Sequence, residues 1–249
     1  MITKFSKRNR KVYIFKDMHE IARHVVETWK ELSGKAIKDR GQFTSVLSGG
    51  KTPVIVYQNL SGEKDMSWEK THIFMADERF VPYKSEENNY HMINRMLLRH
   101  VLIPAKNVHP VLTTESTPRA SAARYAADLI SFFGLKGAAL PRFDLIVLGI
   151  GEDGHTASLF PEALSLQERK QLAIAVSPGE MKGPDRITIT LPVINNARNI
   201  MFIVSGKNKA GIMHEILVKK NAALPAALVN PEDGKILFLL DDAAGSLLG

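Results

Sequence analysis

Short apolar runs rich in β-branched and aromatic residues recur along this chain, separated by segments whose apolar residues fall three and four apart. That alternation restricts the fold more than any other feature. Residues 12–15 (VYIF) precede a helical segment carrying Ile21, Val25, Trp29 and Leu32, and residues 43–47 (FTSVL) follow it as a second strand. The rhythm continues through 72–76 (HIFMA), a helix near 89–100, 143–149 (FDLIVLG), 172–176 (LAIAV), 187–191 (ITITL), 199–204 (NIMFIV), a helix near 207–219 and 235–240 (KILFLL). Strands this apolar are covered on both faces, so the pattern predicts an α/β fold, a three-layer α/β/α sandwich around a largely parallel sheet. The 249 residues suit one such domain spanning 1–249. No repeat or linker divides it, and residues 113–121 read as a loop.

Composition excludes several chemistries. Without cysteine there is no disulfide framework, thiolate metal site or cysteine nucleophile. No apolar stretch has the length of a membrane span, and no signal core follows the basic N-terminus, so the expected location is cytoplasmic, with no membrane partner. The net charge of +7 suits an acidic small substrate as well as a nucleic acid. Its distribution favours the former. Lys4, Lys7, Arg8, Arg10 and Lys11 form the only dense basic cluster, which reads as a solvated tail, and no nucleic-acid-binding motif accompanies it.

In parallel α/β sheets ligands bind beyond the carboxyl ends of the strands, and three segments there carry chemistry. The first is Ser48-Gly49-Gly50-Lys51-Thr52-Pro53. Thr52 is expected as N-cap and Pro53 as first helical residue, with the glycines letting backbone amides approach an anion at the helix start. A tight turn without a ligand is the alternative, and with Ser45 where the leading glycine belongs this is not a Walker A loop. The second is Asp77-Glu78-Arg79, either a solvated turn or an arginine fork held by carboxylates. The third is Gly149-Ile150-Gly151-Glu152-Asp153-Gly154-His155. It satisfies G-x-G-x-x-G, yet no acidic residue ends the next strand, which argues against a dinucleotide site. What remains is a glycine loop presenting Asp153 and His155, the latter suited to proton transfer at neutral pH. Asp153 either orients the imidazole or shapes the turn. Arg186 and Lys209, each beside a further strand, read singly as surface charges and jointly with Arg79 as three cations for one phosphate.

The order S-G-G-K-T-P, D-E-R-F-V-P, L-G-I-G-E-D-G-H-T-A-S-L-F-P, D-R-I-T-I-T-L-P, G-K-N-K-A resembles the 6-phosphogluconolactonase family from about residue 43 to 211. The resemblance implies the Rossmann-like sandwich shared with glucosamine-6-phosphate isomerases and hydrolysis of a sugar-phosphate lactone. It also implies His155 as acid/base, and Ser48, Gly49, Gly50, Lys51, Thr52, Arg79, Arg186 and Lys209 as phosphate ligands. No cofactor or metal is called for. The chain departs from the family pattern at Asn88, where a serine is usual, and in residues 177–183. The isomerases typically continue I-A-F-N-E-P after D-G-H, using that glutamate in ring opening; Phe160 stands there instead, and Arg79 replaces their tyrosine, both favouring a lactonase. A sugar-phosphate-sensing regulator is the remaining alternative, opposed by the short segment before the first expected strand and by His155.

Overall fold

A computed structural model describes residues 9–177 and 183–249, with the backbone alone for 2–7. In chain order the first elements are strands β1 (Ile2–Lys7) and β2 (Arg10–Phe15), helix α1 (Met18–Arg40), β3 (Phe43–Leu47), α2 (Val54–Ser61), β4 (Thr71–Met75) and β5 (Asp77–Arg79). Then come α3 (Asn89–Met96), β6 (Val108–His109), α4 (Pro118–Phe133), β7 (Leu145–Leu148), β8 (Ala173–Val176) and β9 (Arg186–Ile189). The chain ends with α5 (Leu191–Asn195), β10 (Asn199–Val204), α6 (Ala210–His214), α7 (Pro225–Leu228) and β11 (Lys235–Asp241).

Local chemistry explains the long helices. Asp17 accepts hydrogen bonds from the N–H groups of His19 and Glu20 at the start of α1, and Gly41 ends it in the left-handed conformation at φ 80°. Between these caps Ile21, Val25 and Trp29 form the buried stripe. Helix α4 was not expected, because residues 113–121 read as a loop. Yet Thr117 caps it through the Ala120 N–H, Pro118 occupies its first turn, and Gly134 closes it.

The main sheet has the order β1-β2-β11-β10-β7-β3-β4-β6. Seven of its strands are parallel, and β1 pairs antiparallel with β2. Helices flank it: α1 packs on β3, β11 and α2, while α4 reaches the end of β4, where the Tyr125 hydroxyl meets both backbone groups of Met75 at 2.8 Å. The expected α/β sandwich is therefore present. Direction reverses between β3 and β7: β4 and β6 extend the sheet one way, and β10 and β11 the other. The loops after β3 and β7 thus open into one crevice.

Three expectations are corrected. Strands β8 and β9 lie outside the parallel sheet, forming with β5 a second, antiparallel sheet in the order β5-β9-β8 that α4 covers. Their apolar sequences satisfy a sheet buried on both faces, whichever sheet it is. The N-terminal basic segment is no tail: residues 2–7 and 10–15 form a hairpin, and Arg10 donates to the Val229 carbonyl at 2.9 Å, while Arg8 lies outside the described residues. The expected helix near 207–219 divides into a 3₁₀ turn over Lys207–Lys209, α6, and a π-turn over Glu215–Lys219. Among the described residues no helix is long and apolar enough to cross a membrane.

Candidate active site

The crevice at the reversal point holds a cavity of about 230 Å³. Ser48, Gly49, Gly50, Arg79, His155, Arg186 and Lys209 all line it, together with Asp77, Asn89, Gly149, Ile150, Gly151 and Ala157. Lys51 and Thr52 do not. Both border a shallow depression beside Met18 and Gln58, and Lys51 is exposed. Nor does Thr52 cap the helix: α2 is bounded by Pro53, with no side-chain cap. A larger space of about 950 Å³ between α4 and β8 shares no residue with this cavity and gathers none of the expected chemistry.

The loop after β3 is fixed from both sides. Ser48 donates its hydroxyl to the Val147 carbonyl at 2.9 Å, tying β3 to β7, and its own carbonyl accepts from Tyr57 at 2.6 Å. At Gly49 a Cβ would stand 1.8 Å from Asn89 Oδ1, so glycine is required there by close approach. Gly50 supplies the positive φ, 96°, that completes the turn.

The loop after β7 closes on itself through Gly151 N–H to the His155 carbonyl at 2.8 Å and Thr156 Oγ1 to the Gly149 carbonyl at 2.9 Å. No helix opens there, in keeping with the rejection of a dinucleotide site. Asp153 Oδ1 lies 2.6 Å from His155 Nδ1 and also accepts the His155 backbone N–H at 3.1 Å. One carboxylate oxygen of Asp153 thus contacts both the turn's backbone and the imidazole. Burial pushes its carboxyl up, but the His155 backbone N–H and imidazole together hold it below the usual value. With Nδ1 engaged by a carboxylate, Nε2 is the nitrogen left for proton transfer.

The arginines come from the second sheet. Arg79 on β5 and Arg186 on β9 are register partners, so their side chains leave adjacent strands side by side. Both Nε atoms are buried without a partner. Among the described residues neither arginine nor Lys209 forms an ion pair with a carboxylate. Burial, reinforced by the neighbouring Arg79 charge, lowers the pKa of Arg186. Phe160, nearly buried, packs its ring 5.0 Å from that of His155 and 5.3 Å from the Arg186 guanidinium carbon, an aromatic partition between the two. Lys209 ends the 3₁₀ turn over Lys207–Lys209, which Asn208 ties to the His155 loop through Glu152 at 2.6 Å.

The carboxylates expected to hold the Arg79 fork, or else to form a solvated turn, are buried and make no ion pair with Arg79, and Asn89 went unassigned in the sequence. The buried Asp77 carboxylate accepts from Ser158 Oγ at 2.6 Å and Asn89 Nδ2 at 3.2 Å, and Glu78 is wholly enclosed. The only available signal was the position of Asp77 and Glu78 after an apolar strand. Asn88, where the family usually has serine, caps α3 by accepting from the His91 N–H at 2.7 Å. The divergent residues 178–182 lie outside the described residues.

A parallel sheet with glycine loops at its reversal point, a carboxylate-held imidazole and a cluster of cations without ion-pair partners among the described residues define an α/β enzyme site shaped for an anionic substrate. Residues 16–238 match the family model for glucosamine-6-phosphate isomerases/6-phosphogluconolactonase. The chain is 40% identical over 215 residues to the 6-phosphogluconolactonase of Nostoc sp., covering 86% of this chain and 88% of that one. Among solved structures, the 6-phosphogluconolactonase of Thermotoga maritima superposes with TM-score 0.81 at 30% identity, covering 93% of this chain and 99% of that one. That of Trypanosoma brucei superposes with TM-score 0.85 at 28% identity, covering 96% and 98%. The chain belongs to the glucosamine-6-phosphate isomerase/6-phosphogluconolactonase family, on its lactone-hydrolase side.

Proposed function

We propose that this protein hydrolyses 6-phospho-D-glucono-1,5-lactone to 6-phospho-D-gluconate, the lactone-opening step of the oxidative pentose phosphate pathway. The observation that carries the reading is the pair Arg79–Arg186: two part-buried guanidinium groups, adjacent across β5 and β9 and with no carboxylate at ion-pair distance among the described residues, share a cavity with the Asp153-held imidazole. Burying like charges together is costly unless an anion completes the site, and a phosphate dianion does so with two guanidinium forks and the Lys209 ammonium.

Phosphate held there orients the lactone with C1 toward His155. The neutral imidazole takes a proton from water through Nε2 as the water oxygen attacks C1, giving a tetrahedral oxyanion and an imidazolium that the Asp153 carboxylate stabilises. Collapse re-forms the carbonyl and breaks the bond from C1 to the ring oxygen, which takes the proton back from Nε2. The products are a carboxylic acid, ionised at neutral pH, and a free C5 hydroxyl. No step requires an enediol, and the apolar Phe160 beside His155 offers no carboxylate for ring opening of an amino sugar.

The test is hydrolysis of freshly generated lactone, corrected for the spontaneous rate, alongside turnover of glucosamine 6-phosphate. Wild type accelerates the first and not the second. His155→Ala lowers kcat by about 10²–10⁴ in a folded protein. Arg79→Ala and Arg186→Ala chiefly raise KM, since phosphate contacts persist from ground to transition state. A His155→Ala protein with near-normal kcat, or normal KM in both arginine variants, refutes the assignments.

A further inference from the structure

Glu78 is the one side chain of β5 that does not reach the cavity, and it is 0% exposed. Its carboxylate gathers three backbone N–H groups: Oε1 accepts from Arg79 at 2.8 Å and Asn89 at 2.7 Å, and Oε2 from Tyr90 at 2.8 Å. Asn89 and Tyr90 are the first two residues of α3, whose opening amides have no partner within the helix. The carboxylate therefore locks β5 onto the start of α3. Arg79 lies across that joint: its backbone N–H is held by Glu78, and its Nη1 donates at 2.8 Å to the carbonyl of Glu87, two residues ahead of the helix.

No cation offsets the Glu78 charge within ion-pair distance among the described residues. Burial pushes its pKa up to about 7 in spite of the three N–H donors. An enclosed, unpaired carboxylate is a costly way to join a strand to a helix. Its placement directly behind Arg79 supplies the reason.

We infer that Glu78 is a positioning residue of the anion site, holding the backbone of β5 against α3 so that the Arg79 guanidinium stands fixed beside Arg186. The inference rests on the proposed role of Arg79 in binding phosphate. It adds that the grip is set by a residue that never touches substrate.

The test is a double-mutant cycle between Glu78→Gln, which keeps the volume but turns an amide N–H₂ toward N–H donors, and Arg79→Ala. KM for the lactone and the inhibition constant for inorganic phosphate, which probes the anion site alone, are both measured. Glu78→Gln is expected to raise both by the same factor, about tenfold, with kcat within about threefold of wild type. In the Arg79→Ala background it adds no further change to either constant. A merely structural role would instead lower stability or kcat and leave the phosphate constant alone. Unchanged constants in Glu78→Gln, with both raised in Arg79→Ala, overturn the inference while leaving the phosphate reading standing. Effects that multiply in the double variant also overturn it. Unchanged constants in Arg79→Ala itself refute the parent reading and this one with it. Should Glu78→Gln fail to fold, Glu78→Asp, which keeps the charge but withdraws it by one methylene, is read against the same outcomes.

Discussion

The imidazole–carboxylate pair can be disturbed without altering either partner. Gly151 does not occupy the positive-φ region, so its backbone accepts alanine, but the added Cβ would stand 2.1 Å from His155 Nδ1, 2.3 Å from Cε1 and 2.4 Å from Asp153 Oδ1. Real Cβ atoms essentially never approach closer than 3.0 Å, so both side chains must retreat by somewhat under 1 Å. They are 2.6 Å apart and cannot do so as a unit, because Asp153 also holds the His155 backbone N–H and Gly151 holds the His155 carbonyl. The strain falls on the imidazole, the free end of a side chain. Gly151→Ala is therefore expected to keep the fold, with stability within about 1 kcal/mol of wild type by urea unfolding. A displacement of this size costs about 10² in kcat, and loss of the Nδ1 contact with its tautomer control costs up to about 10⁴. KM should change little, since Arg79, Arg186 and Lys209 are untouched. The assay is continuous titration of the acid released from the lactone, read beside Asp153→Asn. A folded Gly151→Ala enzyme within threefold of wild-type kcat would mean that the observed His155–Asp153 contact is not the arrangement the chemistry uses.

Two further predictions concern stability. Asp144, buried just before β7, accepts from Arg40 at 2.7 Å and from the Thr44 backbone N–H at 2.9 Å, with Arg198 Nε 3.3 Å away; Asp144→Ala strands these partners and should cost about 3–5 kcal/mol in urea unfolding while leaving kcat unchanged, because it lies at the opposite end of the sheet from His155. His109 stacks on Phe74 at 4.1 Å, and burial, then the neighbouring His72, lowers its pKa to about 4. A base depressed in the folded state contributes stability that is present above the unfolded pKa of about 6.5 and is lost as pH falls toward 4. The ring is only partly enclosed, so the expected loss is about 1–2 kcal/mol after allowing for solvent screening, and His109→Phe should flatten unfolding free energy against pH over that window. An equally steep dependence in the variant would refute the assignment.

Legibility in the sequence follows the range of the interaction that decides each feature. Strands β3 and β10 appear with the bounds their sequences suggest, because an apolar run between turn residues is a local signal. The cap, proline and closing glycine of α4 were equally local, but the polar stretch 113–121 hid them. The division of strands between two sheets was not local at all: 172–176 and 187–191 have the composition of buried parallel strands, and only the pairing of β9 with Asp77–Arg79, and of β8 with β9, assigns them elsewhere. The same limit separates the legible site residues from the rest. Loops beyond strand ends advertise His155, Asp153 and the glycines through chemistry alone, whereas Glu78 and Asn89 acquire their roles from the joint between β5 and α3.

That division explains how the site is built. The parallel sheet supplies the imidazole and glycine loops at its reversal point, and the small antiparallel sheet supplies both arginines from a single register pair. The imidazole and the arginine pair thus stand on separate structural units, and their spacing depends on what joins them. The hydrogen bonds that do so directly include Ala76 N–H to the Leu47 carbonyl at 2.9 Å, Ile189 N–H to the Ala76 carbonyl at 3.0 Å, Ser158 N–H to Thr188 Oγ1 at 3.3 Å, and Ser158 Oγ to Asp77 at 2.6 Å. Ser158 belongs to the segment that follows His155, and Asp77 to the strand that carries Arg79. The buried Asp77–Ser158 contact is therefore a direct polar link from the imidazole's segment to the strand that carries Arg79, and the spacing of imidazole and guanidinium depends on it.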